Sequence, residues 1–342
     1  VPSSPRRLRA AAAVVAAGLA LTLSACSPDA ASTPDATASA EPTETASAEP
    51  TPTETPTPTP VPVSDSIDGI SVTGEFGAVP VLGFVPPFAI DQTRSRVVIP
   101  GSDAAATVGT DAIIEVQYEA YNARTGDKFD SSYDRGAPSV MSLSQLVPGF
   151  VEGMTGKKVG DRVLIVMPGS EGYDASGGNA QAGIEIGDSL IFVVDLLAVS
   201  VETPTGETLT PALPVELGTD EAGLPTVAIP AGAAQPTERI VEPVIRGTQR
   251  GLEASDLILV HYRAYSWRTG ALLEDKFAEP DSGQLSQTIP DWSEGLVGQP
   301  IGSRVVLIAP DPYPAGNAAP AIEAGDSVVY VIDILFASSA VG

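Results

Sequence analysis

Two homologous domains of α+β class, built mostly from antiparallel strands and containing little helix, are what the sequence predicts, on three observations. Blocks of residues recur in the same order in the two halves of the chain. Within those blocks, apolar residues alternate with a period of two. Only one short stretch, 147–155, carries a clear helical spacing.

The repeat is read directly from the residues. Tyr118-Glu119-Ala120-Tyr121, followed by Arg124-Thr125-Gly126, returns as Tyr262-Arg263-Ala264-Tyr265 followed by Arg268-Thr269-Gly270. Val147-Pro148-Gly149-Phe150-Val151-Glu152-Gly153 returns as Ile289-Pro290-Asp291-Trp292-Ser293-Glu294-Gly295. Gly187-Asp188-Ser189 and the apolar run behind it return as Gly325-Asp326-Ser327 and its own apolar run. The boundary between the copies falls in the polar stretch 201–209, where Pro204 and Gly206 break the preceding apolar strand.

Ile114, Val116, Tyr118 and Ala120 alternate with Glu115, Gln117 and Glu119, the pattern of a half-buried antiparallel strand. Stretches 163–167 and 190–199 are more continuously apolar, as strands covered on both faces would be. In 147–155, Val147, Val151 and Met154 share one face at i, i+4 and i+7. His261, in an alternating strand, reads as a solvent-facing or edge residue without a role.

The chain begins differently. Arg6, Arg7 and Arg9 precede the apolar run 10–23, the pattern of an export signal. A transmembrane helix takes about 20 apolar residues, and this run is shorter. It ends in Leu23-Ser24-Ala25-Cys26, which resembles the lipobox of bacterial lipoproteins. That resemblance implies a signal peptide over 1–25, a diacylglyceryl group on Cys26 and an extracytoplasmic protein anchored by lipid to the bacterial cell membrane. Residues 27–62 are nearly all Ser, Thr, Ala, Pro, Glu and Asp, too polar to bury a core, so 26–65 reads as a disordered, semi-stiff stalk.

Composition excludes several functions. A formal net charge of -25 argues against a nucleic-acid partner, because phosphate binding needs clustered Lys and Arg. One cysteine and one histidine leave no disulfide framework, no Cys/His metal cluster and no Cys–His catalytic pair within a domain. No metal and no cofactor are expected.

A further set of landmarks carries the functional reading. Val116-x-Tyr118 precedes Thr125-Gly126, then Phe129-Asp130-Ser131-Ser132, Asp134-Arg135-Gly136 and Val147-Pro148-Gly149-Phe150. The apolar run 163–167 with Pro168, Gly172-Tyr173 and Leu190-Ile191-Phe192 close the series. In this order the landmarks resemble those of FKBP-type peptidyl-prolyl cis-trans isomerases. The resemblance implies, in each copy, a curved antiparallel sheet wrapped around one short helix, with an apolar pocket between them.

It further implies catalytic roles for Tyr118, Phe129, Asp130 and Tyr173, and substrate-binding roles for Arg135, Met141, Leu146, Val147, Phe150 and Phe192, with Arg135 supporting Asp130. The chain departs from the family at two points. Phe150 stands where the pocket floor is usually Trp, and Ser139 stands where Phe is frequent, with Met141 at the next wall position. The second copy keeps Tyr262, Trp292 and Tyr313, but Leu273-Glu274 replaces Phe-Asp and no Asp-Arg-Gly follows.

The expectation is therefore an isomerase domain over 66–201 and a domain with a degenerate site over 202–342. Its partners would be proline-containing exported polypeptides and, through Cys26, the membrane. The alternative is a membrane-tethered module that binds proline-containing peptides, or acts as a chaperone, without catalysis.

Overall fold

The computed structural model describes residues 61–318 and 321–339. The expected signal peptide over 1–25, Cys26 and nearly all of the stalk lie outside them. Among the described residues strand dominates, and the helices are few and short.

In the first half, six strands form one sheet: β1 (Arg94–Ile99), β2 (Ile113–Asn122), β3 (Lys128–Ser131), β4 (Ser139–Ser142), β5 (Arg162–Met167) and β6 (Leu190–Val199). Helix α1 (Ser132–Arg135) joins β3 to β4, and α2 (Pro148–Met154) lies between β4 and β5. The order is β1-β5-β6-β2-β3, with β4 also on β2, and every pairing is antiparallel.

Proline starts α2 where its missing N–H is not needed. The helix buries Gly149, Phe150, Gly153 and Met154, whereas Val147 and Val151 are half-buried at its flanks. The buried face is thus rotated from the line the spacing suggested. The reason is close approach: a Cβ on Gly153 would sit 2.5 Å from Ile165 Cγ2, so only glycine lets the helix lie directly on β5.

The second half repeats this plan. Strands β7 (Ile240–Arg246), β8 (Leu257–Ser266), β9 (Leu272–Asp275), β10 (Asp281–Gln284), β11 (Arg304–Ala309) and β12 (Val328–Ser338) run in the order β7-β11-β12-β8-β9, with β10 on β8. Helix α3 (Pro290–Gly295) takes the place of α2. Bulges fall at matching places: Ala120/Tyr121 against β3 and Ala264/Tyr265 against β9, with another pair where β2 meets β6 and β8 meets β12. Bulges bend and twist a strand, so each sheet curls toward its helix.

Strands β5 and β6 are buried on both faces. Their inner face packs on α2 through Val163, Ile165, Met167, Phe192 and Val194. Their outer face packs on the segment 61–90, where Ile67, Ile70 and Ile90 meet Leu164, Val166, Ile191 and Val193. Val63–Ser64, at the end of the expected stalk, pairs with Ala89–Ile90, so ordered chain starts before residue 66. In the second half Val215, with Val227 and Ile229, covers the equivalent outer face. Each fully buried aliphatic or aromatic side chain contributes roughly 1.5–3 kcal/mol.

One feature of β2 departs from the alternation. Glu115 and Glu119 are buried, not solvated. Glu119 accepts from the Tyr121 hydroxyl at 2.6 Å and from Lys128 Nζ at 3.2 Å. Glu115 accepts the Ser339 N–H at 2.6 Å and faces Arg250 at 3.7 Å, where the second half begins to cover it. His261 is likewise not free in solvent: it is half-buried, with its ring 5.2 Å from that of Phe277.

Candidate active site

The site lies on the inner face of the first sheet, beside α2. Phe192 on β6 is its centre: the ring of Phe150 stands 5.3 Å away and that of Phe129 5.9 Å away, both nearly perpendicular, and that of Tyr118 6.4 Å away. Edge-to-face contacts of this kind fix ring positions beyond what area burial alone does. Tyr118, Phe150 and Phe192 are buried, while Phe129, Met141, Leu146, Val147 and Tyr173 are half-buried around them. All ten side chains singled out in the first domain therefore belong to one cluster or its polar edge.

That polar edge is organised by Asp130. The Tyr118 hydroxyl donates to Asp130 Oδ2, and Arg135 Nη1 pairs with Asp130 Oδ1. Arg135 Nη2 also donates to the Tyr118 oxygen at 3.0 Å and to Ser139 Oγ at 2.9 Å. The Ser131 N–H adds a bond to Asp130 Oδ1 at 2.8 Å. Ser139, which replaces the frequent Phe, thus serves as a second anchor for the arginine, a role that the residue string did not reveal.

Local chemistry explains why the motif folds this way. Consecutive residues of a strand ordinarily point to opposite faces, but the β2/β3 bulge leaves Phe129 unpaired between Lys128 and Asp130. Phe129 is thereby re-aimed, and both it and Asp130 reach the inner face. Ser131 then caps α1 by accepting the Asp134 N–H at 3.2 Å. Gly136 closes α1 in the left-handed region, at φ 74°, which disfavours side chains. This single turn brings Arg135 back over Asp130. Ser132 ties the turn to β2 by accepting the Tyr118 N–H at 2.8 Å.

The electrostatics follow. Burial alone would raise the Asp130 pKa, but the Tyr118 hydroxyl and the Arg135 guanidinium outweigh it and hold the carboxyl below its usual range. Burial first, and then the bond to Asp130, push the Tyr118 phenol up to about 12. The Tyr173 phenol is raised by burial and then by the Asp130 charge, and no described residue accepts from its hydroxyl. The arrangement therefore offers an apolar seat, a neutralised polar corner and one uncommitted donor. Among the described residues, no group of three or more His, Cys, Asp or Glu is placed to hold a metal.

The second sheet carries a related constellation. Tyr262 stands where Tyr118 does and Tyr330 where Phe192 does, opposite Ala264 and Ala120 respectively. Trp292 on α3 is 5.1 Å from Tyr262 and 5.3 Å from Tyr330, nearly perpendicular to both. Tyr262 donates to Glu274 at 3.0 Å. Among the described residues no helical turn follows β9 and no arginine pairs with Glu274.

Comparison with known proteins gives a consistent picture. Residues 104–197 match the family described as FKBP-type peptidyl-prolyl cis-trans isomerase. A probable FK506-binding protein of Corynebacterium glutamicum is 36% identical over 114 residues, covering 33% of this chain and 92% of the relative. An FK506-binding protein of Streptomyces anulatus is 36% identical over 88 residues, covering 25% of this chain and 70% of the relative. The isomerase FkpA of Aeromonas hydrophila is 34% identical over 95 residues, covering 28% of this chain and 34% of the relative.

Proposed function

Because this chain belongs to the FKBP-type peptidyl-prolyl cis-trans isomerases, we propose that its working site is the cluster around Phe192 and that its substrates are X-Pro bonds in exported polypeptides. The observation that supports this most is the pairing of an aromatic seat with a polar corner whose charges are already matched.

The chemistry needs no nucleophile. Rotation about a peptide bond meets a barrier of about 18–20 kcal/mol, because the twisted amide loses resonance. The twisted form is less charge-separated than the planar one, so an apolar surround favours it, and each 1.36 kcal/mol of that preference is worth roughly tenfold in rate. Phe129, Met141, Leu146, Val147, Phe150 and Phe192 seat the proline ring. The free Tyr173 hydroxyl orients the substrate by donating to a carbonyl that flanks the proline. The rotating carbonyl faces Tyr118 and Asp130, whose fixed dipoles bias its direction.

In this reading the site-bearing domain spans 66–201 and a second FKBP-like domain spans 202–342. The lipobox at Cys26 and the polar stalk support an extracytoplasmic position on the bacterial cell membrane, where exported chains emerge and refold.

The test is the cis-to-trans rate of a short X-Pro reporter peptide with the whole chain and with its Asp130→Ala and Phe150→Ala variants. Acceleration by the parent chain, reduced about tenfold or more in both variants, is expected. A folded parent chain that binds the peptide without accelerating it would instead make this a proline-binding module. Unchanged rates in both variants would move the site elsewhere.

A further inference from the structure

We propose that the second half binds an apolar peptide segment in the hollow on the outer face of its sheet, the place that the first half fills with its own chain. This hollow is separate from the inner-face cluster around Phe192 and does not depend on the catalytic reading of that cluster.

Both halves carry the same ion pair on this face, in different surroundings. In the first half Arg162 bonds Asp195 through Nε and Nη2 and has two further acceptors, the carbonyls of Gly74 at 3.0 Å and Ala78 at 2.6 Å. Asp195 in turn accepts the Gly77 N–H at 2.6 Å and the Tyr133 hydroxyl at 2.8 Å. The backbone of 74–78 lies so close to the pair that a Cβ on Gly74 would meet Arg162 Nη1 at 3.3 Å. A buried ion pair repays its desolvation only when its remaining donors and acceptors are also bonded, and this segment supplies most of those bonds.

Arg304 and Asp333 keep the two-pronged bond, at 2.6 and 2.7 Å, without those additions. Among the described residues Arg304 Nη1 has no acceptor, and Asp333 has no donor other than Arg304. The Arg304 side chain is 22% exposed, against 0% for Arg162, while that of Asp333 is still only 2% exposed. Residues 208–213 and the hairpin of Glu216–Thr219 with Pro225–Ala228 cover the sheet here without bonding to the pair. They leave a hollow of about 600 Å³, within the range of roughly 300–1,000 Å³ for ligand pockets. Arg304 forms part of its wall, Leu209, Leu213, Val244 and Val331 make it apolar, and Leu217, which also lines it, is left 41% exposed.

These features select the ligand. Apolar walls disfavour a strongly hydrated group, which would lose its water there without repayment. The guanidinium is already matched by Asp333 and the chain carries a net charge of -25, so a neutral acceptor is favoured over an anion. A backbone carbonyl flanked by apolar side chains meets both conditions, and it is what 74–78 presents to Arg162.

The experiment uses the whole chain, titrated by calorimetry with the capped peptide Gly-Ala-Phe-Gly-Ala-Val. This probe is patterned on residues 74–79 with alanine in place of Glu75, and it holds no proline. Binding is expected, and a copy with photoreactive benzoylphenylalanine in place of its Phe should cross-link within 208–218. Ala212, an exposed residue of the lining, is replaced in Ala212→Trp to fill the hollow, which should weaken binding about tenfold or more with the melting curve unchanged. Arg304→Lys keeps a cation for Asp333 but loses the third nitrogen, and it should weaken binding as well. Phe150→Ala should leave the affinity as it is. No binding by the folded chain overturns the proposal, as does affinity that survives Ala212→Trp or Arg304→Lys. Binding abolished by Phe150→Ala, or cross-links confined to the first half, would assign the peptide to the first site. Binding of decanoate but not of the peptide would make the hollow a site for acyl chains instead.

Discussion

Arg135 reaches Tyr118: its Nη2 lies 3.0 Å from the phenolic oxygen, while Nη1 pairs with Asp130 and the guanidinium sits 5.5 Å over the Tyr118 ring. One side chain thus fixes both polar groups of the first site. Arg135→Met is expected to lower kcat/KM for a reporter peptide about tenfold with the fold retained. Arg135→Lys recovers only part of this, because an ammonium cannot fork between Asp130, Tyr118 and Ser139.

The same contacts set the pH dependence. The Asp130 pKa is depressed, so its charge is lost only below the ordinary carboxylate value of about 3.9. Its contribution to stability is present above that value and disappears as pH falls through the lower folded value. Tyr118 ionises only near 12. Isomerisation is therefore expected to be level from about pH 5 to about pH 10, with an acid limb below about pH 4. In Arg135→Met that limb moves up, and a rate profile over this range reads both results.

Gly153 carries a packing prediction. A Cβ there would fall 2.5 Å from Ile165 Cγ2 and 2.8 Å from Ile165 Cδ1. Gly153→Ala is expected to cost about 1–3 kcal/mol in denaturant unfolding, the range for overpacking a core. Because Phe150 is on the same short helix, kcat/KM should fall as well.

How much of this could be read from the residues depends on how local the signal is. The pairing of Arg135 with Asp130 was implied by the resemblance of the ordered landmarks, and the structure forms it through one turn capped by Ser131 and closed by Gly136. The strand runs 163–167 and 190–199 announced burial on both faces, and β5 and β6 have it. What covers their outer face was not legible, because the apolar residues of 61–90 and of the region around Val215 and Val227 keep no steady period and are broken up by Gly and Pro. The bulge at Phe129 was equally silent: it is a property of two paired strands, and no single strand encodes it. Glu115 and Glu119 misled the alternation because, beside Tyr121 on β2 itself, their partners Arg250, Ser339 and Lys128 lie on other elements.

A repeated ion pair supports the same point. Arg162 and Asp195 are both fully buried and bonded at 2.6 and 2.7 Å, and Arg162 also donates to the carbonyls of Gly74 and Ala78. Arg304 and Asp333 repeat the pair in the second half. Asp195→Ala leaves a buried guanidinium without its counter-charge and is expected to cost about 3–5 kcal/mol. Asp103→Ala, which removes an exposed partner of Lys158, should leave the unfolding midpoint where it is.

The joint between the halves carries the last prediction. Gln249 behaves as a piece of strand: its side chain accepts the Val199 N–H at 3.0 Å and donates to the Val199 carbonyl at 2.8 Å. Two residues on, the Val201 N–H bonds to the Leu335 carbonyl at 2.9 Å. Ala198 and Ile113, from the first sheet, pack into the core of the second half, and buried Glu115 holds the Ser339 N–H. With a shared core and directed bonds across it, the two halves should unfold together, in one calorimetric transition whose van't Hoff and calorimetric enthalpies agree. The Glu115→Ala/Gln249→Ala double variant leaves Val199 and Ser339 without their partners while sparing both sites. It is expected to split that transition into two, each with a smaller enthalpy. If the parent chain already melts in two steps, the joint is too weak to couple the halves, and each sheet with its covering segment stands alone.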